Sequence, residues 1–243
     1  MLAIAAFFDI DGTLYREGLI TAMFKKLIRS EIIDEVRWHN EVKERYNRWD
    51  RRVGNYDDYL LKMAEIYVEA IAGLHQSQIE LIAKKVVEQN GDRVYVYTRD
   101  RIQFHKEMGH IIITVSGSPE ELVCEMASKH GFHDHIGTRY LKNSEGYFTG
   151  QIIPMWDSDN KAEAIRNFAI QYGLDLSNSY AYGDTAGDLS MFKMVGFPTA
   201  VNPTRELLMR MSQDPMIRAH ARVVVERKDM IYEMDEGFFD RIG

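Results

Sequence analysis

The hydrophobic pattern begins with an unbroken apolar run, Ala3–Phe8, that meets Asp9 and Asp11 and turns at once through Gly12. A short run bounded by charge and glycine suits a strand buried on both faces. From Gly18 to about Gln89 the spacing changes. The stretches "LITAMFKKLI", "YDDYLLKMAEIYVEAIAGL" and "IELIAKKVVEQNG" repeat apolar residues at helical intervals, and Gly91 supplies a stop for the last of them. No strand-like segment interrupts this region, so it reads as an all-helical insertion.

After a further helix around Arg99–Met108, "HIIITVSGS" predicts a second buried strand that stops at Ser116-Gly117. "SPEELVCEMASKHG" predicts a helix with Ser118 at its N-cap, Pro119 at the first position, acids in the first turn and Gly131 after its end. Cys124 and Met126–Ala127 fall on the apolar side of that helix and read as core packing. "GTRYLKNSEGYFTGQI" predicts a hairpin. "KAEAIRNFAIQYG" then predicts a helix, "SYAYGD" a strand, "GDLSMFKMVG" a helix and "FPTAVN" a strand. Strand and helix alternating in this way define an α/β protein with a parallel sheet covered on both faces. The segment after Asn202 carries no chemical motif, and "ARVVVERKDMIYEM" reads as a final strand or hairpin.

Composition narrows the partners. The 243 residues carry 30 Lys and Arg against 37 Asp and Glu, a net charge of −7, which argues against general nucleic-acid binding. The single Cys124 excludes an internal disulfide and fits a reducing compartment. No apolar run is long enough to cross a bilayer, and the N-terminal run has no secretory pattern, so a cytoplasmic location without a membrane partner is expected. Oligomeric state is not readable.

In such a sheet, ligands bind beyond the carboxyl ends of the strands. Polar groups end three strands at that edge: Asp9 and Asp11, Ser116 and Gly117, and Asp184 and Asp188. Two carboxylates two positions apart persist only with a cation between them or a proton on one. Asp9, Asp11, Asp184 and Asp188 are hard oxygen donors of the kind Mg²⁺ prefers, and Mg²⁺ commonly pairs few carboxylates with substrate phosphate. Lys161, the Ser116 hydroxyl and N–H groups near Ser118 suit the remaining phosphate charge, with Gly117 beside them on the substrate side. An ionised Asp9 could attack phosphorus in line to form an aspartyl-phosphate. Asp11 would then protonate the leaving alkoxide and activate the hydrolytic water.

"DIDGTL", "SGS", Lys161 and "GDTAGD" resemble, in order, the four motifs of the haloacid dehalogenase-like hydrolase superfamily, across roughly Ala3 to Asn202. The insertion, "GSPEEL" and "EGYFTGQI" resemble its phosphoserine-phosphatase-like branch. The resemblance implies a Rossmann-like core, residues 1–16 and 90–243, with a helical cap, residues 17–89. It further implies Asp9 as nucleophile and Mg²⁺ ligand, and Asp11 as acid/base that ligates through its backbone carbonyl. Ser116 and Lys161 would hold the phosphoryl group. Asp184 would be a direct metal ligand, and Asp188 would support the site from behind. The expected activity is a Mg²⁺-dependent phosphatase acting on a small phosphorylated metabolite.

Phosphoserine phosphatases often have Ser where this chain has Gly12, and an amine-facing acid where it has Gly18; Glu17 stands one residue short. Either the turn shifts by one residue and Glu17 binds the substrate or the amine contact is missing, and phosphoserine is not the favoured substrate. "RWDRR", Arg48–Arg52, either offers Arg52 to a second anionic group of the substrate or is a solvated helix end. "HGFHDH" has no zinc spacing and reads as a surface turn. Trp38 and Trp49 read as cap packing or as a lining for the leaving group. Two other readings remain open on the same residues: a phosphate-binding or phospho-switch module without turnover, and a phosphotransferase or mutase.

Overall fold

The computed structural model describes residues 2–51, 53–54, 56–235 and 237–241. Strand β1 (Ala5–Phe8) is buried along its whole length, as its unbroken apolar run requires. The insertion follows as helices α1 (Leu19–Arg29), α2 (Glu35–Arg37), a π-helical turn (Trp38–Val42), α3 (Lys43–Asp50), α4 (Tyr56–Ile71) and α5 (Gln76–Asn90). Helix α6 (Val96–Glu107), strand β2 (Ile111–Pro119) and helix α7 (Glu120–His130) return the chain to the sheet, and strands β3 (Asp134–Lys142) and β4 (Phe148–Ile153) make the hairpin. Then come α8 (Ser158–Tyr172), β5 (Tyr180–Gly183), α9 (Leu189–Met194) and β6 (Phe197–Val201). The chain ends with α10 (Arg205–Gln213), α11 (Pro215–His220), β7 (Arg222–Arg227), β8 (Met230–Glu233) and α12 (Phe238–Arg241).

The strands form one eight-stranded sheet in the order β4-β3-β2-β1-β5-β6-β7-β8. β1 pairs in parallel with β2 on one side and β5 on the other, and antiparallel pairing is confined to the two ends, β3 with β4 and β7 with β8. The chain reverses its direction of winding at β1, so the carboxyl ends of β1 and β5 flank a crevice of the kind that holds ligands in open α/β sheets. Side-chain alternation along β1 separates two cores. Ala6 and Phe8 join a cluster that runs without a break into insertion residues such as Leu19, Phe24, Tyr67 and Val87. Ala5 and Phe7 face α8, α9 and α10 through Ile165, Phe192 and Leu207. This is the expected α/β sheet with an inserted set of helices.

Several local expectations change. The helix after β2 is capped by Pro119 in extended conformation, not by Ser118, because the strand runs on to Pro119 and the Ser118 hydroxyl is used elsewhere. Cys124 is exposed: the buried stripe of α7 passes through Leu122, Val123, Met126 and Ala127, and one residue turns the chain about 100° away from it. Gly91 ends α5 with an ordinary helical φ of −63°, whereas Gly131 ends α7 in the left-handed region at 69°. Helices α2 and α3 fall inside the stretch expected to be all-helical, between its periodic segments, whereas α10, α11 and α12 lie after Asn202, where the spacing predicts only a strand or hairpin. Trp38 and Trp49 belong to an aromatic chain, Phe24–Trp38–Tyr46–Trp49, inside the insertion. Among the described residues no helix is long and apolar enough to cross a membrane.

The two connections between insertion and sheet run side by side, with the Arg16 N–H on the Arg93 carbonyl at 3.0 Å and the Tyr95 N–H on the Leu14 carbonyl at 2.9 Å. Glu226 of β7, its side chain 2% exposed, fastens both: Arg16 Nη2 donates to Oε1 at 3.0 Å and the Tyr97 N–H to Oε2 at 2.8 Å. Glu226→Ala leaves the part-buried Tyr97 N–H without its partner and should lower the unfolding free energy by about 1–3 kcal/mol in urea titration. Arg16 is half solvated, so Arg16→Ala should cost less than about 1 kcal/mol. Equal losses would place the stabilisation in the ion pair and not in the amide contact.

Candidate active site

Backbone pairing carries Asp9 past the end of β1: its N–H donates to the Tyr182 carbonyl at 2.9 Å, keeping it in line with β5. The chain then coils tightly, the N–H groups of Leu14 and Tyr15 converging on the Ile10 carbonyl at 2.9 and 2.7 Å. Gly12 makes this turn possible with φ of 81°. It also leaves room for Asp184, whose Cγ would lie 2.7 Å from any Cβ built at Gly12. Gly183 does the same for Asp188, whose Cγ would be 2.5 Å from a Cβ there.

Asp9, Asp184 and Asp188 are all buried, and each offers a carboxylate oxygen within 4.8 Å of the others. Lys161 closes the first turn of α8, which starts three residues earlier than the motif suggested because Asp157 caps it through the Asn160 N–H at 2.9 Å. That turn aims the Lys161 ammonium into the carboxylates, 2.9 Å from Asp9 Oδ1 and 2.6 Å from Asp188 Oδ1. The other Asp188 oxygen accepts from the N–H groups of Asp184 and Thr185, at 3.1 and 3.0 Å, and so shapes the loop that presents Asp184. Thr13 donates to Asp184 Oδ1 at 3.1 Å.

Three buried carboxylates against one ammonium leave an excess of negative charge. Burial, with help from Asp188 and Asp11, pushes Asp9 up to about 8 despite Lys161. Burial and the Asp9 charge hold Asp184 well above the carboxylate range. Burial alone would lower Lys161, but Asp188 and Asp9 outweigh it and keep the ammonium charged. A compact, dry set of hard oxygen donors carrying surplus charge fits a small divalent cation, and Asp9, Asp184 and Asp188 are the groups able to hold one.

Asp11 faces elsewhere. Its Oδ1 accepts from the Leu19 N–H at 2.6 Å and its Oδ2 from the Ser118 hydroxyl at 2.5 Å. Helix α1 starts at Leu19 after Gly18, which has no side chain to cap it, and has no acid in its first turn; Asp11 takes both roles from outside. Burial raises Asp11 and these hydrogen bonds oppose the rise. Ser116 is fully buried beside it, its Oγ accepting from the Ser118 N–H at 3.2 Å. Gly117 packs against Trp156, whose Cβ would be 3.0 Å from an added Cβ. Glu17 is not brought to the cluster: it is half exposed and paired with Arg93 at 2.7 Å, because the chain has already left the sheet edge there. Arg52 lies outside the described residues. The histidines of 130–135 are dispersed, His130 on the Gly91 carbonyl and His133 under the Ile112 N–H. The sequence reading gives the Ser118 hydroxyl only a capping role and Thr13 none. Thr13 stands in the first motif itself, but the cap assigned to Ser118 concealed its contact with Asp11.

A model of the family described as haloacid dehalogenase-like hydrolase matches residues 6–193, and the chain belongs to that family. It is 30% identical over 205 residues, 84% of this chain and 73% of the relative, to an inhibition of morphological differentiation protein of Streptomyces azureus. It is 29% identical over 205 residues, 84% and 70% of the two chains, to a probable phosphatase of Mycobacterium tuberculosis. A substrate-bound phosphoserine phosphatase structure shares the fold with a TM-score of 0.60 at 21% identity, covering 94% of this chain and 95% of that one. The protein is thus a hydrolase of the phosphatase type, with a phosphoserine-phosphatase-like architecture.

Two measurements test the electrostatics. Without metal, folded Asp9 keeps a proton between its ordinary 3.8 and about 8 that the unfolded chain has lost. The native state binds more protons in that window, so stability should fall as pH rises through it, and a divalent cation should raise Tm more near pH 8 than near pH 6. Asp9→Asn should flatten the slope; a slope that survives the substitution would locate the proton elsewhere. Gly12→Ala should cost more than about 1 kcal/mol and weaken the metal-induced Tm rise, since it strains the turn and displaces Asp184.

Proposed function

We propose that this chain is a Mg²⁺-dependent phosphomonoesterase that hydrolyses a small phosphorylated metabolite through an aspartyl-phosphate on Asp9. The observation that carries the reading is the Asp9–Lys161–Asp188 bridge with Asp184 beside it, three carboxylates and one ammonium at the mouth of the β1/β5 crevice. Asp9, Asp184 and Asp188 would hold the ion, with the Asp11 backbone carbonyl as a further donor. When bound, the cation offsets phosphate charge and keeps Asp9 ionised as a nucleophile.

The chain's own groups do the rest. An Asp9 oxygen attacks phosphorus, forming the acyl-phosphate bond as the bond to the leaving oxygen breaks. Asp11, raised by burial and steadied by Leu19 and Ser118, gives its proton to that oxygen. A water then attacks phosphorus, Asp11 takes the water's proton, and inorganic phosphate leaves with Asp9 restored. Lys161, Ser116 and the N–H groups from Gly117 onward hold the phosphoryl oxygens. Residues 17–89 act as the cap that covers the site and governs which leaving group enters.

Inorganic phosphate release from a panel of phosphomonoesters, with and without Mg²⁺, tests the reading. Asp9→Asn should reduce turnover below about one thousandth while the fold persists; a normal rate would remove the covalent step. Asp11→Asn should slow alkyl phosphates far more than aryl phosphates, whose leaving groups need no proton. Equal losses would remove the acid role.

A further inference from the structure

Ser118 stands between two groups to which the phosphatase chemistry gives different tasks. It is buried, and it uses both of its donors on them. Its N–H donates to Ser116 Oγ at 3.2 Å, and its hydroxyl donates to Asp11 Oδ2 at 2.5 Å. One residue thus touches the hydroxyl assigned to the phosphoryl group and the carboxyl assigned to the leaving oxygen. No capping duty competes for the Ser118 hydroxyl, because β2 runs on to Pro119 and α7 starts only at Glu120.

The backbone that carries Ser118 is fixed from the neighbouring strand. The β2–β3 register shifts between Val115 and Pro119, an irregularity of the kind that re-aims side chains beside active sites. Thr138 Oγ1 donates to the Gly117 carbonyl at 2.8 Å, and Thr138 pairs with Pro119. A Cβ at Gly137 would lie 2.8 Å from the Ser118 carbonyl oxygen, so glycine there lets β3 close on this backbone. Asp11 has one other donor, the Leu19 N–H on Oδ1 at 2.6 Å. With that donor alone the carboxyl could turn about Cβ–Cγ, a torsion with broad minima. Ser118 on the second oxygen fixes its plane. A carboxyl has about four lone-pair sites, so one donor on each oxygen still leaves a place for the proton.

We propose, resting on Asp11 as the acid of a phosphomonoesterase, that Ser118 is a positioning residue whose hydroxyl sets the plane of the Asp11 carboxyl against the oxygen that leaves phosphorus. The Asp11 proton passes to that oxygen as its bond to phosphorus breaks. Orientation therefore matters where the leaving oxygen needs a proton and much less where it departs as a stable anion. Positioned proton transfer contributes about 10²–10⁴-fold, and a misdirected donor forfeits part of it.

The test measures kcat and KM for propyl phosphate and p-nitrophenyl phosphate with Mg²⁺. Ser118→Ala should lower kcat for propyl phosphate about tenfold or more, the worth of one hydrogen bond to a charged group. It should lower kcat for p-nitrophenyl phosphate by less than about threefold, with both KM values within about threefold of wild type. Ser118→Thr, which keeps the hydroxyl, should hold the wild-type ratio of the two rates. In an Asp11→Asn background, Ser118→Ala should change either rate by less than about twofold, because the group it orients is gone. If Ser118→Ala fails to fold, Ser118→Cys, similar in shape and a weak donor, carries the comparison. Matching losses on the two esters, effects that add to those of Asp11→Asn, or a ratio lost as fully in Ser118→Thr overturns the positioning role. A selective Asp11→Asn beside an unselective Ser118→Ala also overturns it and leaves the acid in place. Unselective losses in Asp11→Asn itself remove the acid, and wild type that releases phosphate from neither ester removes the hydrolase; this role falls with either.

Discussion

The Lys161 ammonium reaches Asp9 at 2.9 Å and Asp188 at 2.6 Å in a part of the sheet edge where all three side chains are buried. Removing it would leave like charges facing one another without solvent, a situation a folded protein escapes by protonating them or by opening. The bridge joins segments far apart in the chain: the end of β1, the first turn of α8 and the loop after β5. Because Asp188 also holds the Asp184 and Thr185 N–H groups, the same ammonium indirectly fixes the third carboxylate. One cation still leaves surplus negative charge, and that remainder suits the cluster to hold a second, divalent one.

Around this centre, polar contacts tie the insertion to the sheet. Asp11 caps α1, and its two oxygens tie the first helix of the insertion, through the Leu19 N–H, to the end of β2, through the Ser118 hydroxyl. Glu226 grips both connecting segments from the far end of the sheet, which gives the C-terminal hairpin a mechanical part in presenting the insertion. The continuous hydrophobic cluster from Phe8 through Tyr67 explains why these few contacts suffice: apolar burial supplies the adhesion, and the polar contacts set direction.

Much of this was legible in the chain. The unbroken apolar run at Ala5–Phe8, helical spacing at α1, α4 and α5, and carboxylates at strand ends follow from local patterns that any short window displays. The order of the motif residues further implied that Asp9, Lys161, Asp184 and Asp188 would meet, because parallel strands put their carboxyl ends on one edge. Helices α2 and α3 were legible only as part of an all-helical stretch and not by their bounds, since they carry too few apolar residues to set a period of their own. Ser118 was misread for a related reason. A serine before Pro-Glu-Glu looks like a cap from its neighbours alone, and nothing in that window shows that Asp11 competes for its hydroxyl.

The sequence by itself determined the class of fold, the chemistry of the cluster and the turn at Gly12, all set by residue type and short-range spacing. Tertiary structure alone decided which partner each polar group takes: Glu17 goes to Arg93, the Asp11 carboxylate to α1 and Ser118, and Cys124 to solvent. The reason is physical. Hydrogen bonds and ion pairs act over a few ångströms, and which groups come that close depends on how helices and sheet stack, a property of the whole chain that no local pattern encodes.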